Sequence, residues 1–349
     1  MFKKKKMILI SILLILLFFL TACGNNKKEL PKADDNAFLM DTLVQMRAHG
    51  ENAETAVKAS MERIREIENL MSKTIETSDI YRLNNNPESK IGIESESMTV
   101  LKKSVEYAEL TAGDFDPTIG ALVEIWGIGT EDAAVPNESE LKEALTNTGY
   151  NYLKLDQNTA EITKTGVKLD LGGIVKGYAA EEVKKIVKKH EIEHAFVNLG
   201  GNVLVIGNKV DGSPWKIGIQ DPRESSGDVM AVVDAVDLTI VTSGNYERYF
   251  EEDGKLYHHI INPQTGYPAE NNILSVTIIS ENSFDADALS TAVYVMGLKK
   301  GLKFIEDMED IEVMFITEDL EVYLSSGLEE LVNINDSDFK LIEGENFAD

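Results

Sequence analysis

Two short segments, more than a hundred positions apart in the chain, carry the residue types best suited to chemistry. In the first, Gly172 and Gly173 are followed by Lys176; in the second, Asp287 and Thr291 stand four positions apart. Glycines let the main chain approach a bulky ligand closely, and a lysine ammonium meets phosphate as a point charge. Carboxylate and hydroxyl oxygens suit a magnesium ion that bridges phosphates. The two segments together predict a metal-assisted site for a phosphate-bearing ligand.

Each segment also has a plainer interpretation when it is taken alone. The glycine segment matches neither the dinucleotide-binding pattern nor the Walker A pattern, so it could be an ordinary tight turn. Asp287 and Thr291 would share one face of a predicted helix. Thr291 could instead bond its own helix backbone, and Asp285 or Asp287 could cap the helix start. A carbonyl oxygen from the glycine turn would complete three ligands and favour magnesium.

A pair of adjacent histidines, His258 and His259, lies at the end of a predicted strand and before the turn at Asn262 and Pro263. Neighbouring residues of a strand face opposite sides, so only one of the two can face a site. A histidine in this place is suited to act as a general base. It could equally be a structural residue that closes the turn.

Two further segments, 114–120 and 242–246, mix acceptor side chains, an aromatic ring and glycine. Each could hold a ring or a ribose, and each could equally be ordinary turn chemistry.

The periodicity of apolar residues predicts an α+β fold with mixed or antiparallel sheets and packed helices. The predicted helices are 53–73, 98–111, 139–146, 178–190, 283–295 and 299–308. The predicted strands are 152–156, 161–163, 167–171, 195–198, 203–206, 215–219, 229–236, 238–242, 256–261, 274–279, 312–316 and 322–324. The segment 167–171 should be a buried strand that leads into the glycine turn.

The first residues have the pattern of an export signal, with lysines at 3–6, an apolar run over 7–20 and Cys23 just after it. This resembles a bacterial lipoprotein signal, which implies cleavage before Cys23 and attachment of lipid, including palmitate, at Cys23. The alternative is an uncleaved membrane anchor. We therefore expect a signal peptide at 1–22, a polar tether at 23–36 and a catalytic domain at 37–345. The protein would be held outside the cytoplasm at the cell membrane, through its lipid anchor only.

The net charge of −26 argues against nucleic acid or an anionic lipid surface as a partner. With a single cysteine, the chain has no internal disulfide.

Seven clusters, taken in order, resemble the ApbE family of bacterial flavin transferases, the FAD:protein FMN transferases. They lie at 38–42, 114–120, 170–178, 198–201, 242–248, 259–266 and 286–292. The resemblance covers most of the chain after the signal. It implies an ApbE-like, T-fold-like single catalytic domain, possibly built from two similar α+β halves.

The resemblance further implies that FAD binds as substrate with its pyrophosphate on Mg²⁺. The FMN half then passes to a Ser or Thr hydroxyl of an acceptor flavoprotein, and AMP is released. Gly173, through its carbonyl, Asp287 and Thr291 look like metal ligands, and His259 looks like the catalytic histidine. The residues that look like contacts to the flavin nucleotide are Met40, Asp114, Phe115, Asp116, Lys176 and Ile260.

The chain departs from the family pattern in three places. Asp41 replaces a frequent glycine, Asn262 replaces a frequent aspartate, and 70–74 lacks the aromatic residue that relatives often place over the flavin. The last departure leaves open whether FAD is mostly transferred or mostly hydrolysed, as by an FAD pyrophosphatase that yields FMN and AMP. A lipoprotein that binds flavin without catalysis is a separate alternative.

Overall fold

A nine-stranded sheet forms the centre of the protein in a computed structural model that describes residues 30–223 and 227–342. Its strand order is β1-β2-β6-β7-β10-β13-β14-β15-β17, and every neighbouring pair is antiparallel except β15 with β17. These strands are β1 (Lys32–Leu39), β2 (Thr42–His49), β6 (His194–Leu199), β7 (Asn202–Ile206), β10 (Thr239–Gly244), β13 (Ile273–Ser280), β14 (Ile311–Thr317), β15 (Glu321–Leu324) and β17 (Lys340–Leu341).

Three smaller sheets surround the main one. They consist of β3 (Ile91–Gly92), β5 (Thr159–Ile162) and β4 (Leu153–Leu155); β16 (Val332–Ile334), β9 (Val229–Ala235) and β8 (Trp215–Gln220); and β11 (Tyr249–Glu252) with β12 (Lys255–His258). The mixture of helices and mostly antiparallel sheets confirms the predicted α+β fold class.

Eight α-helices are present in the described part of the chain. They are α1 (Ala53–Met71), α2 (Asp79–Asn85), α3 (Ser95–Leu110), α4 (Gly120–Trp126), α5 (Glu138–Thr146), α6 (Val175–Lys189), α7 (Ser283–Met296) and α8 (Leu298–Glu306). Helix α1 shows why they form: Ala56, Ile64 and Ile67 recur on one face and are fully buried, with charged residues between them. None of these helices has the length and apolar character needed to span a lipid bilayer.

Apolar side chains pack on both faces of the main sheet. The larger core joins one face to helices α1, α6 and α7, through residues such as Ile64, Val183 and Leu289. A second core joins the other face to the β8-β9-β16 sheet, through residues such as Ile217, Val233 and Ile279. Because both faces are covered, central strands such as β13 are buried along nearly their whole length.

Two sequence-based predictions about local structure were wrong. Residues 32–36, assigned to a polar tether, belong to β1, so the folded domain begins at Lys32. The predicted strand at 167–171 makes only an isolated bridge, Lys168 with Ile119, because this segment approaches a short loop rather than another strand. The predicted signal at 1–22 and the lipidation residue Cys23 lie outside the described residues.

A two-residue turn joins β1 to β2. Both turn residues, Met40 and Asp41, have positive φ angles, of 53° and 57°, as a type I′ turn requires. Asp41 is exposed and occupies a conformation that glycine adopts without strain. This explains why Asp41 can stand where relatives often have glycine, since aspartate tolerates the left-handed region better than most residues.

Candidate active site

The predicted glycine turn and the predicted Asp287 helix meet where α6 crosses α7. At Gly177 a Cβ atom would lie 2.2 Å from the Ser283 carbonyl oxygen and 2.8 Å from the Cβ of Asp287. The Gly177 N–H donates to Asp287 Oδ2 at 2.9 Å. Only glycine allows this main-chain contact, which seats the Asp287 carboxylate at the beginning of α6.

Thr291 reaches the same place from one turn further along α7. A Cβ built on Gly173 would lie 3.1 Å from Thr291 Oγ1 and 3.3 Å from the Phe115 ring. Gly173, Thr291 and Phe115 are therefore neighbours in space. The structure brings together the glycine turn and the side chains of Asp287 and Thr291, which the sequence predicts to bind one metal ion.

Asp287 is 2% exposed, and its burial raises the pKa of the carboxyl group. The Lys176 ammonium and the Gly177 N–H act in the opposite direction and favour the charged form. A buried carboxylate whose negative charge is only partly offset by its neighbours is a good ligand for a cation.

The oxygen set of carboxylate, hydroxyl and glycine-turn carbonyl fits Mg²⁺, which binds hard oxygen ligands and keeps several waters. Across residues 30–223 and 227–342, no three His, Cys, Asp or Glu side chains converge into a metal cluster. A metal here would thus rely on Asp287 together with neutral oxygens and those of a bound phosphate.

The two adjacent histidines have different surroundings. His258 is buried; its Nε2 lies 3.1 Å from the Ala269 carbonyl oxygen, and its Nδ1 accepts the Ile260 N–H at 3.3 Å. His259 is half-buried, and its Nδ1 lies 3.3 Å from the Arg248 carbonyl oxygen. His258 is thus the structural histidine, and His259 is the one left to act.

Burial, together with the positive charges of Arg248 and Lys176, lowers the pKa of His259 to about 3. The imidazole is therefore neutral at physiological pH. Because a carbonyl oxygen can only accept, the Arg248 contact favours the tautomer with hydrogen on Nδ1 and leaves Nε2 free to accept a proton.

One charged residue of the site was not singled out from the sequence. Glu247 is solvent-accessible, yet loss of hydration in the cleft raises its pKa to about 7, while Lys176 and Arg248 lower it and Asp287 raises it. The charges of Lys176 and Asp287 are thus close enough to act on the Glu247 carboxyl group. The sequence feature that could have indicated Glu247 is its position inside the 242–248 cluster, directly before Arg248.

The loop at 114–118 is held by its own aspartates. Asp116 accepts the Thr118 N–H at 2.8 Å, the Thr118 hydroxyl at 2.6 Å and the Tyr150 N–H at 2.9 Å. Asp114 pairs with Lys300 and accepts from Gln264 Nε2 at 3.3 Å. Asp116 therefore positions the loop, and Asp114 ties it to the segment that follows His259.

Met40 and Ile260 differ in their access to the site. Met40 lies in the β1–β2 turn and is partly buried, and the neighbouring Asp41 carbonyl oxygen accepts from Arg248 Nη2 at 2.8 Å. Ile260 is buried in the larger core, and its backbone groups bond His258 and Ala269. Ile260 therefore packs in the core next to His259, whereas Met40 lies in the turn that Arg248 links to the site.

Comparisons with known proteins agree with this geometry. The model of the ApbE family matches residues 40–315. An FAD:protein FMN transferase of Treponema pallidum is 33% identical over 92% of this chain and 94% of its own length. One from Klebsiella pneumoniae is 36% identical over 66% of this chain and 71% of its own.

The solved structures give the same result. The ApbE protein of Thermotoga maritima superposes with a TM-score of 0.80 at 36% identity, over 86% of this chain and 99% of that one. The flavin transferase ApbE of Vibrio cholerae gives a TM-score of 0.77 at 27% identity, over 86% and 99% of the two chains. On its sequence and on its fold alike, this chain belongs to the ApbE family.

Proposed function

We propose that this ApbE-family enzyme transfers the FMN half of FAD to a Ser or Thr hydroxyl of an acceptor flavoprotein and releases AMP. The observation that carries the proposal is the convergence of Gly173, Asp287 and Thr291 at the α6–α7 crossing. Lys176 lies close enough to influence the pKa of both Asp287 and His259. The relatives named FAD:protein FMN transferases support the same reaction.

The protein's own residues account for the proton and the charge in this reaction. The acceptor hydroxyl oxygen attacks the FMN-side phosphorus, a new P–O bond forms, and the P–O bond to AMP breaks. The hydroxyl proton passes to Nε2 of His259, which is neutral before substrate binds and whose basicity the negative charge of a bound pyrophosphate would raise. Lys176 offsets part of the negative charge that the departing AMP carries away.

Gly173, Asp287 and Thr291 would hold Mg²⁺, which when bound neutralises pyrophosphate charge. Met40, the ring of Phe115 and the 114–118 loop border the same cleft and are suited to contact the flavin nucleotide.

The test incubates the protein with FAD, MgCl₂ and an acceptor flavoprotein, and measures covalent flavin fluorescence on the acceptor after denaturing electrophoresis. We expect a fluorescent acceptor band and an equal amount of AMP, both lost when EDTA replaces magnesium. An acceptor without covalent flavin would overturn the proposal.

One observation favours a second candidate, an FAD pyrophosphatase in which water replaces the acceptor hydroxyl. The segment 70–74 has no aromatic residue to stack on the flavin, and a less firmly held flavin would admit water as the nucleophile. Free FMN and AMP, produced without acceptor at the rate seen with acceptor, would select hydrolysis. A non-catalytic flavin-binding lipoprotein would bind FAD and release neither product.

We also propose that the enzyme is anchored to the cell membrane through lipid on Cys23 and works outside the cytoplasm. Support for this comes from the sequence of the first 23 residues. Metabolic labelling with a clickable palmitate analogue should mark the wild-type protein and leave a Cys23→Ala variant unmarked. An equally labelled variant would contradict the assignment.

A further inference from the structure

Three exposed apolar side chains lie close in sequence to the contact between Asp41 and Arg248. Phe38 is 74% exposed, Leu43 is 50% exposed and Tyr249 is 49% exposed. All three lie within three residues of the hydrogen bond between Arg248 and the Asp41 carbonyl. The Arg248 carbonyl in turn accepts the His259 N–H at 3.0 Å. This group, which we call the Phe38 surface, is thus connected to the proposed base through two direct contacts.

Phe38 and Leu43 form one continuous patch. They are cross-strand partners in the β1–β2 hairpin, and opposite residues of a hairpin place their side chains on the same face in contact distance. Large apolar side chains that remain together on a surface commonly mark a site of protein interaction.

The backbone of β1 offers pairing groups at the same end. β1 is an edge strand of the main sheet, and in the described ranges no strand pairs with its outer side. Leu39 and Thr42 flank the two-residue turn and form a hydrogen-bonded pair, so the N–H and C=O of Phe38 point outward. An extended peptide can add to such an edge.

The rest of the edge is protected. The outward Asn36 N–H is bonded by the Asp35 carboxylate at 2.8 Å, and Asp34 pairs with Lys32 and Arg47. Charged side chains along an edge discourage pairing. The open part of β1 is therefore the Phe38 end, which is the end nearest the cleft.

We propose that an extended segment of the acceptor protein docks on the Phe38 surface, with a large apolar residue next to the Ser or Thr that is modified. This inference rests on the proposed transferase function. The acceptor must bring its hydroxyl to His259, and a segment paired with the end of β1 would run towards the Asp41–Arg248 contact.

The experiment uses full-length protein and a library of short synthetic peptides, each with one Ser or Thr and varied residues on both sides. Covalent flavin on each peptide is measured by mass spectrometry. We expect wild-type enzyme to favour peptides with a large apolar residue beside the hydroxyl. In the double variant Phe38→Ser, Leu43→Ser, KM for the best peptide should rise about tenfold, since the apolar contact is lost. The FAD dissociation constant and kcat at saturating peptide should stay near the wild-type values.

Two controls sharpen the test. Phe38→Leu keeps an apolar side chain and should restore a nearly normal KM. Leu341→Ser removes a side chain that is 46% exposed on β17, at the opposite edge of the sheet, and should leave KM unchanged.

The possible failures are distinguishable. If wild-type enzyme labels the acceptor flavoprotein but no peptide, this inference is wrong and the transferase proposal stands; if it labels neither, both are overturned. If wild-type labels peptides but the double variant has an unchanged KM, only the inference is wrong. If wild-type sediments as a dimer and the double variant as a monomer, the Phe38 surface binds a second copy of the chain, which also overturns the inference.

Discussion

Two buried aspartates, one in the 114–118 loop and one at the α6–α7 crossing, show how similar groups acquire different roles. Asp116 and Asp287 are 7% and 2% exposed, and burial raises the pKa of both. Asp116 accepts three hydrogen bonds from neutral groups of Thr118 and Tyr150. Asp287 instead faces the Lys176 ammonium and lies near the Glu247 carboxylate.

The difference teaches that burial alone does not identify a functional carboxylate. Neutral donors from Thr118 of the same loop and from Tyr150 hold Asp116 in place and use both of its oxygens. Charged neighbours and an adjacent glycine turn leave Asp287 suited to a cation and a phosphate. Substitutions should therefore separate the two residues, with activity sensitive at one and stability sensitive at the other.

The largest expected effect is on turnover in Asp287→Asn. Loss of the charged ligand should lower kcat/KM by about 10³-fold or more, several kcal/mol of transition-state stabilisation. The melting temperature of the metal-free protein should stay constant or rise, because a buried charge is removed. Asp285→Asn, on the same helix but paired with Lys103 at 3.0 Å, is the matched control and should retain activity. An active Asp287→Asn enzyme would remove the metal assignment.

The next effect concerns the adjacent histidines. His259→Ala should slow transfer by about 10² to 10⁴-fold with little change in FAD affinity, because a general base is lost. His258→Ala should mainly lower the melting temperature, since it removes buried contacts to Ala269 and Ile260. Stopped-flow transfer and FAD titration measure both. If FAD affinity collapses in His259→Ala, that residue binds substrate and the base lies elsewhere.

A smaller effect is expected on stability in Asp116→Asn. The amide NH₂ would face the N–H group of Tyr150 or the Thr118 donors, which leaves a buried donor unsatisfied and should cost about 1–3 kcal/mol of unfolding free energy. Urea unfolding measures this change. Transfer per folded molecule should fall far less than in Asp287→Asn. Equal losses of activity in the two variants would erase the proposed distinction.

The prediction with the smallest effect at neutral pH concerns acidification. The pKa of His259 is lowered from 6.5 to about 3 in the folded protein, so the folded state binds fewer protons than the unfolded state across this window. Its contribution to stability is complete above pH 6.5 and is lost as the pH falls towards 3. His259→Gln should therefore lose less stability on acidification than wild-type, as measured by urea unfolding at several pH values. If the unfolding free energies of wild-type and His259→Gln fell equally with pH, the lowered pKa of His259 would be contradicted.

Much of the fold was predictable because its long helices and inner strands repeat apolar residues with a clear period. Helix α7 was placed within one residue of its observed limits, and β13 nearly as well. The β1–β2 hairpin was missed because β1 is polar on an exposed edge and ends in a turn without glycine. The segment 167–171 has strand-like composition, but whether it pairs depends on neighbours that composition does not specify.

The site was partly predictable for a similar reason. Spacing placed Asp287 and Thr291 on one helix face, and strand alternation required His258 and His259 to diverge. The sequence could not decide which histidine faces the cleft, since that depends on the Ala269 and Arg248 carbonyls. Glu247 was not predicted, because its raised pKa depends on charges that only the folded chain brings near it.

The absent side chain at Gly177 has a practical consequence for redesign. Helices α6 and α7 touch there through their main chains, so the width of the gap beside Asp287 is set by backbone dimensions. Substitutions in the surrounding core should change the melting temperature of the protein before they change the width of this gap. An engineer who wants this scaffold to accept a different nucleotide should therefore keep Gly177 together with Asp287, Thr291 and His259, and vary the other side chains around them.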